Sequence, residues 1–432
     1  MKTVVSYAYY ETNRTMYNLD FFAQVAIVDV PDMLFIIVVN GHKCSIELPN
    51  YDNCIVIKRD NIGFDFGAHR ASIDYLLNLH NCVNVNDIPY DNFIFINCGV
   101  IGPFLPTYYP SNMSWTNIFT SKLNDKVKLV GTSLVCFEYT ASPGKGPHIE
   151  GFCFCLDKIG LDIVMGTETV FINHKTKQNA VNNGEYGLSK AIINAGYSLD
   201  CLLYKYQEVD WTNTENWINQ NNYTHPSRVN TYDTITIHPF EVVFHKWFWA
   251  NNLPVNFNYI VRYRKWKLDT LNKNKQLHAT FGVGEYMINV TNIIKNNFMD
   301  DNKIIIPIGY HNNEELQKIA KSLGSTMSNL NITIKGTQYQ ILYTITEPVE
   351  IYIDNPYNIT AKYGIMDFNT DVTHKFINTF VNNNKIIIPI KYDFNKLFGD
   401  CCPKKTKHIF LKINGKDYMI NENNYSKIEF EY

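Results

Sequence analysis

The strongest constraint on what this chain can fold into is an internal repeat. Ala279-Thr-Phe-Gly282 recurs as Ala361-Lys-Tyr-Gly364, Asn289-Val-Thr291 as Asp371-Val-Thr373, and Lys303-Ile-Ile-Ile-Pro-Ile308 as Lys385-Ile-Ile-Ile-Pro-Ile390. All three pairs share one offset of 82 residues, and 14 of 32 positions are identical between 279–310 and 361–392. Self-similarity at a fixed period means one supersecondary unit used twice. Each copy continues into β-rich runs, Asn331–Gly336 with Tyr339–Ile345 and Ile409–Ile413 with Tyr418–Ile420. In the second copy the runs flank Asn414-Gly415, a strong two-residue hairpin signal. The expected organisation is a first domain over 1–261, a basic linker over 262–276, and two tandem β-rich modules, β-sandwich-like or α+β, over 277–354 and 358–432. The linker, Arg-Tyr-Arg-Lys-Trp-Lys onward from Arg262, reads as a solvated cationic connector.

The first 261 residues follow a different pattern. Apolar strand-like runs (Thr3–Tyr10, Met33–Val39, Cys54–Lys58, Phe93–Ile96, Val127–Gly131) alternate with helical periodicity over Asn18–Val28, Ala68–Leu79 and Tyr186–Ala195. Continuously apolar strands between helices predict an α/β fold whose mostly parallel central sheet is covered on both faces. Ligands on such sheets bind beyond the carboxyl ends of the strands, so the chemistry is sought in the segments that follow them.

Composition removes several alternatives. The 432 residues are 45% hydrophobic and 19% charged, which is globular rather than disordered. A net charge of −2 gives no basic excess for nucleic acid. No apolar run reaches membrane-spanning length, and the N-terminus lacks the apolar core of a signal peptide. The ten cysteines are scattered without paired CxxC spacing, which predicts reduced, mostly buried thiols and a cytoplasmic protein. Asparagine is in excess at 53 residues; the bland reading, an AT-rich genome, accounts for most of them.

Five clusters carry candidate chemistry. Lys58–Arg70 leaves a strand and enters a helix. There Arg59, His69 and Arg70 can hold a diphosphate, Gly63 and Gly67 can let the backbone approach a ligand, and Asp60 or Asp65 can take a ribose hydroxyl, a base edge or a metal. In Asp91–Pro106 a buried strand ends in Asn97-Cys98-Gly99, where sugar-nucleotide enzymes commonly place the Asp-x-Asp that holds a divalent cation; Asn97 is a poor sole metal ligand. Gly146-Pro-His-Ile-Glu-Gly151 offers His148 and Glu150. Gly184-Glu-Tyr-Gly-Leu-Ser189 opens a helix with Glu185. In His238–Trp249, His238, Glu241 and His245 share a face if helical and are candidates for a metal or diphosphate site. For each there is an ordinary structural role: turn, helix cap or core histidine.

Taken in order, these clusters resemble a glycosyltransferase family related to the rhamnan-synthesis F proteins, with members in bacteria, algae and large DNA viruses. The resemblance rests on Arg59-Asp-Asn-Ile-Gly-Phe-Asp-Phe-Gly67, Phe95–Pro106, Trp115–Phe119, Lys128–Thr132, Pro147-His148 with Asp157–Leu161, and Glu185 with Gly187-Leu-Ser189. It covers about residues 3–205. It implies a GT-A-like nucleotide-sugar fold and transfer of a sugar from an activated donor to an acceptor hydroxyl. Carried over by position, Arg59, Asp60, Asn61, Gly63 and Asp65 line the donor site, Asn97 and Cys98 sit at the Asp-x-Asp position, and His148 and Glu185 face the acceptor. Where the family often has Gln-Ser after His and an apolar residue, this chain has Glu150-Gly151.

The resulting expectation is a hexosyltransferase, rhamnosyltransferase-like, acting in glycan or polysaccharide synthesis. Its partners are a nucleotide-sugar donor and a glycan or glycoprotein acceptor, with no nucleic acid. The catalytic candidates are Glu185, Glu150 and His148. Donor binding falls to Arg59, Asp60, Asn61, Gly63, Asp65, Gly67, Arg70, Asn97 and Cys98. Manganese or magnesium is kept as a candidate cofactor with His238 and His245 as ligands, although no Asp-x-Asp is present. The competing classes are a glycan-binding or structural protein on a degenerate transferase scaffold, and a nucleotidyltransferase. A viral member would act in the host cytoplasm or travel with the virion.

Overall fold

The computed structural model describes residues 1–138, 144–218, 220, 224–248, 256–272, 277–300, 303–325, 327–334, 337–352, 359–366, 368–382, 385–423 and 426–431. The chain divides into two compact units: Met1–Asn274 with Thr280–Asn289 and Glu314–Ser328, and Lys275–Ala279 with Val290–Asn313 and Asn329–Tyr432.

The first unit is built on a seven-stranded sheet. Its strands are β1 (Thr3–Tyr9), β2 (Met33–Asn40), β3 (Cys54–Arg59), β4 (Asn92–Asn97), β5 (Val127–Gly131), then, after the separate two-stranded pair β6 (Leu134–Phe137) and β7 (Gly146–Ile149), β8 (Cys153–Asp157) and β9 (Ser198–Cys201). The order is β3-β2-β1-β4-β8-β5-β9. β1 and β2 are buried along their whole length, as their unbroken apolar runs predict. The pairs β1–β2, β2–β3, β1–β4 and β5–β9 are parallel. β8 is the departure from an all-parallel sheet: it runs antiparallel between β4 and β5. The cause lies at its entry point. The Asn97 N–H donates to the Phe152 carbonyl at 2.9 Å, so the chain joins β4 at that strand's carboxyl end and must run back along it.

Helices cover the sheet. Helix α1 (Asn13–Val25) starts well before the Asn18 that periodicity suggests, because Thr12 and Thr15 form a capping box. The Thr15 N–H donates to Thr12 Oγ1 at 3.3 Å and the Thr12 N–H to Thr15 Oγ1 at 2.7 Å, and such a cap is worth about 1 kcal/mol. Helix α2 (Phe64–Leu79) likewise starts earlier than the expected Ala68, immediately after Gly63, whose φ is +74°. Helices α3 (Asn117–Thr120), α4 (Lys158–Gly166) and α5 (Tyr186–Asn194) follow. The core includes an aromatic group of Phe66 (α2), Phe95 (β4), Phe154 (β8) and Phe171, with Phe95 5.1 Å from both Phe154 and Phe171. Each such pair adds about 0.5–1.5 kcal/mol beyond its buried area.

The basic segment does not behave as a solvated connector. Most of it lies in helix α6 (Phe257–Asn272), whose Arg264 is 4% exposed, ion-paired with the equally buried Asp20 of α1 and 4.1 Å from the Tyr17 ring centroid. Tyr263 Oη donates to the Leu105 carbonyl at 2.8 Å. Residues 273–276 lie outside the described residues.

The sheets of the second unit pair antiparallel. Strands Ile359–Ile365, Phe368–Asp371, His408–Ile413 and Lys416–Asn421 form one sheet there, and Val381–Asn382, Lys385–Ile388 and Ile428–Glu431 another. Both residues of the Asn414-Gly415 turn have positive φ, as a two-residue hairpin of this kind requires. The registers repeat. Phe281 pairs with Ile288 in the Thr280–Asn289 stretch of the first unit and Tyr363 with Thr370 in the second, while Met299 pairs with Ile304 and Val381 with Ile386, each displaced by 82 residues. Residues 335–336, expected in the first copy's hairpin, and 383–384 lie outside the described residues. Among the described residues no helix is long and apolar enough to cross a membrane, and all ten cysteines are free thiols.

Candidate functional site

A cleft of about 1000 Å³ opens in the first unit beyond the carboxyl ends of β1, β2 and β4. That is where a mostly parallel sheet of this kind binds its ligands. Its walls come from Tyr9 and Tyr10 at the end of β1, Asn40 ending β2, the Asn61–Phe66 turn, Asn97–Gly99 at the end of β4, Gly151 and Phe152 before β8, the stretch from Asn173 to Glu185, and Lys246.

The turn after β3 distributes its residues to different tasks. Phe64 is exposed with φ +58°, an outlying conformation for a bulky residue, and lines the cleft. Asp65 also lines the cleft. Phe66 belongs to the buried aromatic group. Asp65 Oδ2 accepts from Asn97 Nδ2 at 2.8 Å, and Asn97 Oδ1 accepts from the Gly99 N–H at 3.0 Å. Asn97 therefore spends both ends of its amide on the protein and leaves the pair with one negative charge.

Gly63 and Gly67 make room for a neighbour, and Gly63 lines the cleft as well. A Cβ on Gly63 would lie 2.5 Å from Asn173 Cα, and one on Gly67 would lie 2.5 Å from Asn173 Oδ1. Asn173 Oδ1 accepts in turn from Arg59 Nη2 at 2.7 Å, and Arg59 Nη1 donates to Asn40 Oδ1 at 3.4 Å. Arg59 thus braces two residues of the cleft wall. Asp60 is exposed beside His42 at 3.0 Å and does not line the cleft. Arg70 pairs with Asp74 one turn along α2 at 2.7 Å, on the surface. His69 is fully buried against Ser6 at 2.9 Å, and burial lowers its pKa to about 4. Of the three groups expected to clamp a diphosphate, only Arg59 reaches the cleft, through its partners. Cys98 lines it, with its thiol pushed up to about 11 by burial.

Glu185 lies in the cleft wall at the end of a π-helical segment (Ala180–Glu185) set between Lys177–Asn179 and α5. Such segments recur at functional sites. Lys177, Ala180, Val181 and Glu185 face the cleft together. Glu185 Oε1 accepts from the Gly151 N–H at 3.0 Å. A Cβ on Gly151 would come within 3.2 Å of Glu185 Cγ, so the bare backbone at 151 makes room for this carboxylate. Burial raises the pKa of Glu185 above the ordinary carboxylate value, and the Gly151 N–H and the Lys246 charge oppose it only in part.

Glu150 and His148 stand elsewhere. Glu150 is 1% exposed and accepts from Ser133 Oγ at 2.6 Å, His225 Nδ1 at 2.9 Å and Ser227 Oγ at 2.6 Å. Burial alone raises its pKa, but these donors outweigh burial and hold it below the ordinary value. His148 is buried against Tyr186, its Nε2–H donating to the Gly144 carbonyl at 2.9 Å, with its pKa lowered to about 4 by burial. Neither lines the cleft. His238 caps a short helical turn (Pro239–Val242), its ring nitrogen accepting from the Phe240 N–H at 3.3 Å. His245 Nε2–H donates to the Ile237 carbonyl at 3.0 Å. Both histidines are held as structural groups and neither reaches the cleft. Trp249, the end of that string, lies outside the described residues.

Among the described residues no three His, Cys, Asp or Glu side chains converge on one point, and the Asp65 carboxylate already holds Asn97. The charged groups that sequence reasoning missed are cations: Lys175, Lys177 and Lys246. Lys175 and Lys177 had a signal, since Asn173-His-Lys-Thr-Lys177 precedes the helix that carries Glu185; Lys246 lay unremarked between His245 and Trp247.

No protein-family model matches the chain, and no curated protein matches it. Among solved structures it is similar to the glycosyltransferase GlyE of Streptococcus pneumoniae TIGR4 (10% identity, TM-score 0.25, over 46% of this chain and 45% of that one). It is also similar to the galactosyltransferase LgtC in complex with donor and acceptor sugar analogs (11%, 0.28, over 61% and 95%). A third likeness is to the bifunctional glycosyltransferase WbbM in its apo form (6%, 0.28, over 62% and 51%). The chain spans less than half the length of the GlyE chain. At TM-scores this low the likenesses carry no argument, and the functional reading rests on the residues.

Proposed function

We propose that the first unit is a GT-A-like glycosyltransferase that moves a sugar from a nucleoside diphosphate sugar to an acceptor hydroxyl, in glycan or polysaccharide synthesis. The observation that carries this is the cleft itself. It has the volume of a cofactor-sized ligand, it follows the carboxyl ends of the strands, and it joins a proton-seeking carboxylate to three ammonium groups. In the reaction the acceptor oxygen forms a bond to the anomeric carbon as the bond from that carbon to the diphosphate breaks. The acceptor's proton passes to Glu185, and the electron pair of the broken bond stays on the diphosphate oxygen. A base works best with a pKa near the working pH, and burial moves Glu185 in that direction. The aromatic groups Tyr10, Phe64 and Phe152 on the cleft wall suit stacking on a base or a sugar ring. The β-rich stretches 277–354 and 358–432 are accessory tandem modules in this reading, and a hexose, rhamnose included, is the sugar transferred.

Thermal shift with a panel of nucleoside diphosphate hexoses tests the proposal. A donor at about 100 times its dissociation constant adds about 2.7 kcal/mol, and free nucleoside diphosphate should accumulate with a glycan acceptor. A panel that shifts nothing and yields no diphosphate would favour a glycan-binding scaffold, and pyrophosphate as product would favour a nucleotidyltransferase.

A further inference from the structure

Whatever leaves this cleft as a diphosphate must have its developing charge neutralised, and the usual agent is a divalent cation between two carboxylates. Here the position that should supply the second carboxylate is Asn97, which donates to Asp65 at 2.8 Å. An aspartate at 97 would set two carboxylates against each other. The amide removes that repulsion and, with it, the cation's seat. The cleft supplies positive charge from elsewhere: Lys175 and Lys177 on the wall that leads to Glu185, and Lys246. Lys175 and Lys177 are exposed. Lys246 lies 4.9 Å from the Phe152 ring centroid and its charge acts on Glu185, so it belongs to the reacting end. Lys177 lines the same wall at the start of the helical stretch whose π-helical part ends at Glu185, so it belongs to the other end. His174 belongs to the same wall and is 4% exposed, its Nε2–H donating to the Val170 carbonyl at 3.0 Å.

We infer that the ammonium groups of Lys175, Lys177 and Lys246 hold the nucleoside diphosphate in place of a protein-bound divalent cation. This rests on the transferase reading. The chain is then a donor-dependent enzyme that works in the presence of a chelator.

The test is calorimetric titration of the full chain with uridine, guanosine and thymidine diphosphates, each in EDTA and in manganese chloride. At least one should bind in EDTA with an affinity that manganese changes little. Lys175→Ala/Lys177→Ala removes two exposed side chains and should fold normally. Removing each charge-assisted hydrogen bond weakens binding about 10- to 150-fold, and the weakening should be the same with and without manganese. Asn97→Asp should create a manganese requirement that the natural chain lacks. Binding that appears only with manganese and ignores the lysine substitutions overturns the inference and leaves the transferase reading standing. No binding of any diphosphate under either condition overturns both.

Discussion

The two glycines of the turn after β3 give a prediction whose sign depends on a third residue. An added Cβ at Gly63 or Gly67 would meet Asn173 Oδ1 within 2.5 Å, but only Gly63 meets the Asn173 backbone as well. At Gly63 a methyl group would meet the Asn173 backbone, 2.5 Å from its Cα, at a φ of +74°. The left-handed conformation costs a non-glycine residue about 1–2 kcal/mol and overpacking about 1–3 kcal/mol. Gly63→Ala should therefore destabilise by about 2–5 kcal/mol, and no change of the Asn173 side chain should rescue it. At Gly67 the methyl group would meet Asn173 Oδ1 at 2.5 Å, a side-chain atom that can swing away only by releasing Arg59. That bond is exposed, so its loss is worth about 1 kcal/mol, the low end for a charged partner. Alanine inside a helix returns about 0.5–1 kcal/mol over glycine. Gly67→Ala should thus be neutral to mildly destabilising in the natural chain. In an Asn173→Ala background, where the Oδ1 contact is gone and the Ile62 carbonyl at 3.1 Å remains, it should be more favourable than in the natural chain by about 1 kcal/mol, the cost of the released Arg59 bond. Urea denaturation of the four-member cycle measures this. If Gly67→Ala has the same effect in both backgrounds, Asn173 is not what these glycines accommodate. A tolerated Gly63→Ala would refute the backbone clash.

Two carboxylates, Glu150 buried and Glu185 half-buried, should respond in opposite ways. Glu185 has a raised pKa in the folded chain, so its contribution to stability is present at low pH and is lost as pH rises through that value. Glu185→Gln should therefore leave the melting temperature at neutral pH unchanged or higher while lowering transfer at least about a hundredfold. In the natural chain kcat/KM should fall on the acid side at a pH above the ordinary carboxylate value of 4.5; an acid limb at or below it would remove Glu185 as the base. Glu150 has a depressed pKa, so its stabilisation holds above 4.5 and is lost as pH drops below it. Glu150→Ala leaves His225, Ser133 and Ser227 without this acceptor and should cost about 3–5 kcal/mol, read as a lower denaturation midpoint; a cost under about 1 kcal/mol would mean that the trio is satisfied without it.

Much of the fold was legible because its signals are local. The runs Thr3–Tyr10 and Met33–Val39 can be little else than covered strands, and the offset of 82 residues recurs in the strand registers. What could not be read was set by distant partners. The direction of β8 depends on a backbone bond between Asn97 and Phe152. Helix α6 has the sequence of a solvated cationic rod, and it is Asp20, far away in sequence, that holds Arg264 inside. The same division runs through the site. Asp65, Asn97 and Glu185 stand out in strings of unusual composition, whereas the lysines of the cleft are ordinary surface residues in sequence and acquire meaning only from the wall they stand on.

The glycine-rich string has a packing role that spacing alone does not reveal. Gly-Phe-Asp-Phe-Gly leaves a strand and opens a helix, and the obvious inference is a backbone kept bare for a phosphate. The physical demand is different: two glycines receive Asn173, and Asn173 carries the chain onward to Lys175 and Lys177. Arg59, which sequence reasoning sends to the diphosphate, instead grips Asn173 and Asn40. The string therefore positions a cation-bearing segment in the same cleft as Asp65. A substitution in it should alter ligand binding through where that segment sits, even when the substituted atom never meets the ligand. Arg59 and the two glycines are in this sense positioning residues for the wall that carries Lys175 and Lys177.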